Sequence, residues 1–281
     1  MGGPTLAVQA PLEYLLQLAD NALILGQRNA EWCGHGPALE EDIAMANISL
    51  DLIGQARLVY QYAAETINAS QEAALSRPGA PGLLATEDRL AYFRGPDEFR
   101  NYTLLELPHH GPLAATAAIA RDYATTIVRN FFYSALMDLL WAQLRDSQDE
   151  RLAAIAAKSV KELRYHLRHA QGWMLRLGDG TVESNRRMQD ALDHLLPYTQ
   201  EFWSDSPAET SAMENGSGMH PREVQVAWNE RLASALKESG LAHPLTKAHV
   251  SGGKLGRHSE HLGRLLAEMQ SVARAHPTAT W

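Results

Sequence analysis

Apolar residues recur every three or four positions along most of this chain, which is the spacing that places them on one face of an α-helix. The pattern predicts a first helix from about Pro11 to Glu31 and a second from about Leu39 to Asn68. The stretch between them, Trp32 to Pro37, contains two glycines and a proline, which disfavour continuation of a helix. The second helix is apolar around most of its circumference, which is typical of a helix buried on several sides.

Two more long helices are predicted, from about Pro112 to Arg145 and from about Asp149 to Leu177. They are separated from the first pair by residues 76–84, which are rich in proline and glycine, and by a short predicted helix from Glu98 to Leu107. Few segments alternate apolar and polar residues with the period of a β-strand. Two closely joined helices, a long crossover and two more closely joined helices are the order of a ferritin-like bundle. The sequence therefore predicts an all-α, ferritin-like four-helix bundle with additional C-terminal helices.

The C-terminal part of the chain adds shorter helices, predicted at about Glu183 to Trp203, Pro221 to Ser239 and Leu255 to Ala275. Residues 204–221 are polar and rich in serine and glycine, so we expect a mobile surface loop there. We expect residues 1–281 to form a single domain, with a core bundle at about 11–177 and the extra helices at about 183–275.

Net charge, the length of apolar stretches and the cysteine count indicate which partners and which cellular compartment to expect. The net charge of −8 argues against a basic surface that binds nucleic acid. No uninterrupted apolar stretch approaches the ~20 residues that a membrane span needs, and the N-terminus does not resemble a signal peptide. The single cysteine, Cys33, cannot form an internal disulfide. We therefore expect a cytoplasmic protein that binds neither nucleic acid nor membrane.

A ferritin-like di-iron centre needs a glutamate from each of two helices and a Glu-x-x-His pair from each of the other two. Only Glu106 and His109 have this spacing, and Pro108 between them makes a regular helix improbable. In the fourth helix Leu163 stands three residues before His166, where the carboxylate would be. The second helix contains no histidine. The sequence therefore predicts a degenerate metal site, with no catalytic, cofactor-binding or metal-binding residue assigned.

Polar residues near this position are the candidates for what replaced the ligands. His166 is interpreted either as a lone metal ligand or as a satisfied core histidine, and Glu162, one turn earlier, could pair with it. Asn47, Asp51 and Gln55 form a stripe on the second helix. The stripe either faces solvent or faces the bundle interior, where His166 or an arginine would satisfy Asp51. The degenerate-site candidates are Asp51, Gln55, Glu162, Leu163 and His166.

Two other segments carry chemistry-bearing residues. Cys33 and His35 could be a nucleophile and base, but a Gly/Pro turn with this spacing is more typical of a structural turn. The segment Ser251 to Gly263 combines glycines with Lys254 and Arg257, which suits either an anion or partner contact or a simple capping loop. Its histidines, three residues apart at 258 and 261, have no third zinc ligand nearby in sequence.

Three stretches carry a family resemblance: EWCGHGPALEEDIAMANISLDLIGQARLVYQYAAE, KELRYHLRHAQGWMLRLGDGT and SGGKLGRHSEHLGRLLAEMQ. Together they resemble the C-subunit family of the bacterial phenylacetyl-CoA oxygenase, a ring 1,2-epoxidase. The resemblance implies a ferritin-like structural subunit that pairs with a homologous catalytic A subunit and with further subunits. In that family the A subunit holds the di-iron centre and the CoA-ester site. No cofactor is therefore expected in this chain, whose own role would be non-catalytic.

Two rival functions stay open at this point. An autonomous di-iron or mononuclear iron oxygenase would use Asp51, Glu162 and His166. A cofactor-free helical binding protein, unrelated to oxygenation, would use none of them. Because one four-helix core buries only one broad stripe of each helix, we also expect either the C-terminal helices or another chain to cover the remaining apolar surface of the second helix.

Overall fold

The computed structural model describes residues 7–70, 84–110, 121–245 and 249–279. The helices in these ranges are α1 (Leu12–Ala30), α2 (Leu39–Ala69), α3 (Glu87–Tyr92), α4 (Thr103–Glu106), α5 (Tyr123–Leu144), α6 (Glu150–Gly178), α7 (Val182–Leu195), α8 (Pro207–Glu214), α9 (Gln225–Glu238), α10 (Glu260–Met269) and α11 (Ser271–Ala275). The same ranges contain no β-strand, only an isolated bridge between Gly252 and Arg257. The all-α prediction is confirmed.

The long helices pack as two antiparallel pairs, α1 with α2 and α5 with α6, joined by the crossover that contains α3 and α4. This is the predicted ferritin-like order. Amide side chains link the pairs, because Asn29 of α1 and Asn130 of α5 each donate to the other's oxygen, at 2.8 and 3.0 Å. One continuous apolar core includes residues of the long helices, such as Leu152, and of the C-terminal helices, such as Trp228 and Leu262. The single-domain organisation stays a prediction.

Helix boundaries follow from local capping. Asp122 accepts from the N–H of Ala124 at the start of α5, and Asp149 accepts from the N–H of Leu152 at the start of α6. The predicted start of the third helix at Pro112 lies outside the described residues, and 121–122 are not helical, so the helix begins later than expected. None of the described helices is both long enough and apolar enough to cross a bilayer.

The crossover departs from its prediction. The single helix expected from Glu98 to Leu107 is wrong: a 3-10 turn at Pro96–Glu98 is followed by non-helical residues and then by the single turn of α4. The reason is tertiary, because Arg94 and the N–H of Arg100 both bond to the buried carboxylate of Asp20 on α1. Helix α3 was not anticipated, and residues 76–83 of the predicted connection lie outside the described residues.

The predicted mobile loop at residues 204–221 is also wrong, because it contains α8. Ser206 accepts from the N–H of Glu209, and Pro207 occupies the first helical turn, where a missing N–H costs nothing. Glu209 is buried and bonded to Gln17 of α1 and Lys254 of the C-terminal segment. The polar composition therefore includes buried, bonded side chains such as Glu209 beside exposed ones such as Glu214.

The remaining predicted helices are broken at their ends by 3-10 turns, namely Leu196–Trp203 after α7, Pro221–Val224 before α9 and Gly253–Leu255 before α10. The helix predicted from Leu255 starts only at Glu260. Gly256 has a φ of 75°, which a helix cannot include, and Ser259 caps the first turn of α10 by accepting from His261.

Candidate functional site

Polar side chains bridge α2 and α6 along their length, and we call this row the α2–α6 seam. Residue numbers rise on α2 as they fall on α6, as expected for two antiparallel helices. Three contacts join Glu41 to His169 at 2.8 Å, Asp51 to His166 at 3.0 Å, and Gln55 to Glu162 at 2.9 Å. An outer pair, Arg151 with Glu65, continues the row.

The sequence-predicted candidates lie at the centre of this seam. His166 is 2% exposed, and its Nε2 contacts Oδ2 of Asp51, whose side chain is 39% exposed. Glu162 does not pair with His166, because its Oε2 accepts from Nε2 of Gln55. Leu163 is fully buried in the apolar core. The structure therefore brings Asp51 and His166 together and holds Glu162 apart from them.

The stripe on α2 fits neither of its two interpretations along its whole length. Asn47 is exposed, Asp51 is half-buried and Gln55 is buried. The stripe thus descends from solvent into the contact between α2 and α6. Oε1 of Gln55 is buried without a hydrogen-bond partner among the described residues, so this part of the seam is incompletely satisfied.

The donor set does not fit a di-iron centre. Such a centre needs four carboxylates and two imidazoles converging from four helices. Here Asp51 and His166 meet, an apolar side chain stands at Leu163, and Glu162 is engaged by an amide. Throughout the described ranges, no group of three or more His, Cys, Asp or Glu side chains is arranged to hold a metal ion.

Glu41, which lies at one end of the seam, was not among the candidates predicted from the sequence. Oε2 of Glu41 accepts from His169 and, at 2.6 Å, from the hydroxyl of Tyr123 on α5. Burial raises the pKa of the Tyr123 hydroxyl, and the bond to Glu41 adds to this rise. The signal available in the sequence was His169 itself, which follows His166 by three residues and so shares its side of the helix.

A second buried polar cluster fixes the C-terminal segment, and we call it the C-terminal clasp: Glu106, Glu201, Glu209, Lys254 and His258. Nζ of Lys254 lies 2.8 and 2.9 Å from the two carboxylate oxygens of Glu209. Burial lowers the pKa of Lys254, and the Glu209 carboxylate opposes that shift. The positive charge of Lys254 is therefore used inside the protein, which overturns its interpretation as a contact for an external anion.

The other two clasp carboxylates are equally engaged. Glu201 accepts from the hydroxyl of Ser251 at 2.6 Å and from the N–H groups of Thr103 and Lys254. Each of these bonds ties the C-terminal segment or the crossover to the same buried side chain. Glu201 thus serves as a common anchor for two chain segments that are far apart in sequence.

Glu106 accepts from Nδ1 of His258 at 2.7 Å, from the N–H of Ser259 at 2.6 Å and from the amide of Asn101. Burial lowers the pKa of His258, but the hydrogen bond to Glu106 and its charge outweigh burial, so the net shift is upward. The zinc interpretation of the two histidines at 258 and 261 gains no third ligand here.

The one Glu-x-x-His spacing in the sequence does not form a site. Glu106 ends α4 and faces the clasp, whereas His109 lies beyond Pro108 and contacts Thr126 at 2.6 Å. Burial holds the pKa of His109 well below its usual value. Cys33 is free and exposed in its turn.

An apolar surface remains uncovered beside the seam. On α2 the side chains of Leu39, Ile43 and Leu50 are exposed, and on α6 those of Tyr165 and Leu175 are exposed. The C-terminal helices do not cover this side of α2. Within the described residues, the expectation that the C-terminal helices cover these side chains is therefore not met.

Comparison with known proteins gives two findings. The family model described as "Phenylacetic acid catabolic protein" matches residues 3–281. The C subunit of the 1,2-phenylacetyl-CoA epoxidase of Escherichia coli (strain K12) is 40% identical over 268 residues, which covers 95% of this chain and 98% of that protein.

Proposed function

The chain belongs to the phenylacetic acid catabolic protein family, and from this premise we propose that it is the C subunit of a phenylacetyl-CoA 1,2-epoxidase acting in phenylacetate catabolism. Its proposed role is structural and non-catalytic. The near-complete coverage of both chains supports this assignment, because the similarity is not confined to one segment that another kind of protein could share.

The observation that carries the non-catalytic role is the composition of the α2–α6 seam. A fully buried leucine, Leu163, stands where a carboxylate would be needed, and the only imidazole–carboxylate contact at the centre of the seam is that of His166 with Asp51. Two donors, one of them half-exposed, are too few to hold two irons. We propose that this chain carries no cofactor and that the iron belongs to a partner.

The proposed partner is a homologous catalytic A subunit that contains the di-iron centre. The uncovered apolar residues of α2 and α6 support a protein partner, because exposed clusters of this kind are typical of interaction surfaces. An obligate interface between two helical proteins commonly buries more than ~2,000 Å² in total. The chain would then support its catalytic partner and help form docking surfaces for further subunits. The predicted cytoplasmic location is part of the same proposal.

Co-expression tests the proposal. We expect the chain alone to self-associate or to be poorly soluble, and co-expression with the catalytic partner to give a stable hetero-oligomer by size-exclusion chromatography with light scattering. Elemental analysis should assign the iron of that complex to the partner. A monodisperse monomer that shows no association with the catalytic partner at micromolar concentration would remove the assignment of a structural role.

The rival oxygenase would need Asp51, Glu162 and His166 to act together on iron. The structure holds Glu162 against Gln55 instead, which does not favour this function. Reconstitution of the isolated chain with ferrous iron separates the two. Two tightly held irons per chain would favour the oxygenase, whereas well under one iron per chain would support the structural role.

A further inference from the structure

The exposed side of α6 carries a row of cationic side chains, which we call the basic face: Arg151, Lys158, Lys161, Arg164, Arg168 and Arg176. All six are exposed. Glu162 is the only acid between Glu150 and Asp179, and its carboxylate is turned towards Gln55 of α2. The helix therefore supplies no carboxylate within the basic face, although the whole chain has a net charge of −8.

Three cations of the basic face are not used by the fold. The side chains of Lys158, Lys161 and Arg168 take part in no hydrogen bond or ion pair with the other described residues. The spacings of three and seven residues place them on one side of the helix, where like charges repel each other. Internal pairing therefore does not account for these three side chains.

The other cations of the basic face have contacts, but these leave most of the positive charge exposed. Arg164 is 61% exposed and lies 3.4 Å from the carboxylate of Asp138 on α5, which Arg231 of α9 already binds at 2.7 Å. The Arg176 guanidinium lies over the ring of Trp173, 5.2 Å from its centre, so its contact is with an aromatic ring and not with an acid.

Apolar side chains lie within the same face. Tyr165 is 45% exposed and follows Lys161 by four residues, and Leu175 is 42% exposed and follows Arg168 by seven. Both belong to the uncovered apolar surface described above. Aromatic side chains and arginines are enriched at protein–protein interfaces, so the mixture is typical of a surface that contacts another protein.

We propose that the basic face of α6 binds an acidic surface of the catalytic partner, whose Asp and Glu side chains lie along α6 from Lys158 to Arg176. The inference rests on the proposed function and gives the chemistry of the surface that this partner presents. Lys158 and Arg176 are 18 residues apart, which is about 27 Å along the helix at 1.5 Å per residue. A row of this length suits a protein surface rather than a small ligand.

Two other anionic occupants match the basic face less well. A nucleic acid duplex is attracted through its phosphates, and the net charge of −8 repels such a polyanion outside the basic face. An anionic bilayer is bound by basic residues together with apolar side chains that insert among the lipids. Tyr165 and Leu175 are only partly exposed, so they offer little area for insertion.

Charge reversal in the complex with the catalytic partner tests the inference. Lys161→Glu/Arg168→Glu reverses two of the unused charges. The Kd of the co-purified complex is measured by mass photometry over a dilution series. At about 50 mM NaCl we expect the variant complex to be at least about tenfold weaker than the wild type, because the new carboxylates face those of the partner. The ratio should shrink at about 500 mM NaCl, where salt screens exposed charges.

The matched control is Lys237→Glu/Arg264→Glu. Both of these cations are exposed, on α9 and α10, and their reversal changes the net charge by the same amount. The control complex should bind as the wild type does. Melting curves of all three complexes check that the fold is kept. If the reversed pair alters the fold, Lys161→Gln/Arg168→Gln takes its place, with an expected loss of affinity of about threefold.

The outcomes separate the inference from the proposed function. A wild-type chain that does not associate with the catalytic partner would overturn both. A wild-type complex whose affinity is unchanged by the reversal on α6, or is weakened equally by the control pair, would overturn the inference alone. Binding of a DNA duplex or of phosphatidylserine–phosphatidylcholine vesicles that is lost on reversal, with the complex unaffected, would assign the basic face to another class of partner and also overturn it.

Discussion

The α2–α6 seam and the C-terminal clasp each hold a histidine against a carboxylate, but they differ in how the carboxylate is supported. In the clasp, Glu106 is fully buried and accepts from a histidine, a backbone N–H and an amide. In the seam, Asp51 is half-exposed and accepts from His166. The clasp is thus a completed internal network, whereas the seam pair borders solvent. Of these two regions, we therefore expect the clasp to contribute more to the free energy of unfolding.

The clasp and the seam also differ in what the loss of one charged side chain would cost. A network whose members are all satisfied fixes the geometry of distant segments, and each member becomes costly to remove alone. A half-exposed pair costs little to lose and leaves the surrounding helices free to serve another purpose. The proposed contact with a partner would use the uncovered apolar residues of α2 and α6, the two helices that form the seam.

The largest effect is expected from Lys254→Met in the clasp. Removing the cation leaves the buried Glu209 with Gln17 and, at 3.8 Å, the imidazole of His220, so we expect the free energy of unfolding to fall by about 3–5 kcal/mol. Urea denaturation measures this loss. The double variant Lys254→Met/Glu209→Gln should recover part of it, because the stranded charge is gone. A single variant as stable as the wild type would show that the clasp is not a cooperative network.

A carboxylate placed in the core beside the seam should cost less. Leu163→Glu creates one Glu-x-x-His pair with His166, but the opposing helix α2 still has no histidine. We expect a loss of about 1–3 kcal/mol and no di-iron site. Leu163→Met is the control, because a swap of similar volume should cost under about 1.5 kcal/mol. Unchanged stability together with two bound irons would mean that the degenerate-site interpretation is mistaken.

The clasp histidine predicts a pH dependence of the free energy of unfolding. The pKa of His258 is raised in the folded chain, so its contribution to stability is fully present below its unfolded pKa. That contribution is lost as pH rises through the folded value. We expect the unfolding free energy of the wild type to decline relative to that of His258→Gln as the pH rises above about 6.5, the ordinary pKa of histidine. A constant difference between the two proteins across this range would contradict the assignment.

The smallest effect is expected from Asp51→Asn. The substitution keeps the shape of the side chain and removes only the charge of a half-exposed pair, so the unfolding free energy should change by about 0–1 kcal/mol. Denaturation next to Lys254→Met gives the direct comparison. A loss as large as that of the clasp variant would erase the distinction between the two regions.

Sequence reasoning recovered the long helices because their apolar spacing is a local property of each helix. It also placed the residues of the seam, since Asp51, Gln55, Glu162 and His166 each belong to a helix with a regular register. The spacing of the stripe on α2 did not predict how far its side chains are buried, because their burial depends on how closely α6 approaches. The solvent-facing interpretation holds at Asn47, and the interior-facing interpretation holds at Gln55.

The clasp could not be foreseen in the same way. Glu106 and His258 are 152 residues apart, and Lys254 and Glu209 are 45 apart, so no local pattern links them. The polar composition of residues 204–221 indicated a loop, whereas its acidic residue at 209 is a buried partner of that lysine. The burial of Glu209 depends on its tertiary contact with Lys254, which local composition does not indicate.

The wide sequence separation of the clasp has a consequence for synthesis on the ribosome. The carboxylates of Glu106, Glu201 and Glu209 emerge before the segment that contains Lys254 and Ser259. Until that segment leaves the ribosome, the three acids have only their earlier donors, Asn101, Thr103 and Gln17, and lack those of the C-terminal segment. The full set of hydrogen bonds to these carboxylates can therefore form only after residues 251–259 have been translated.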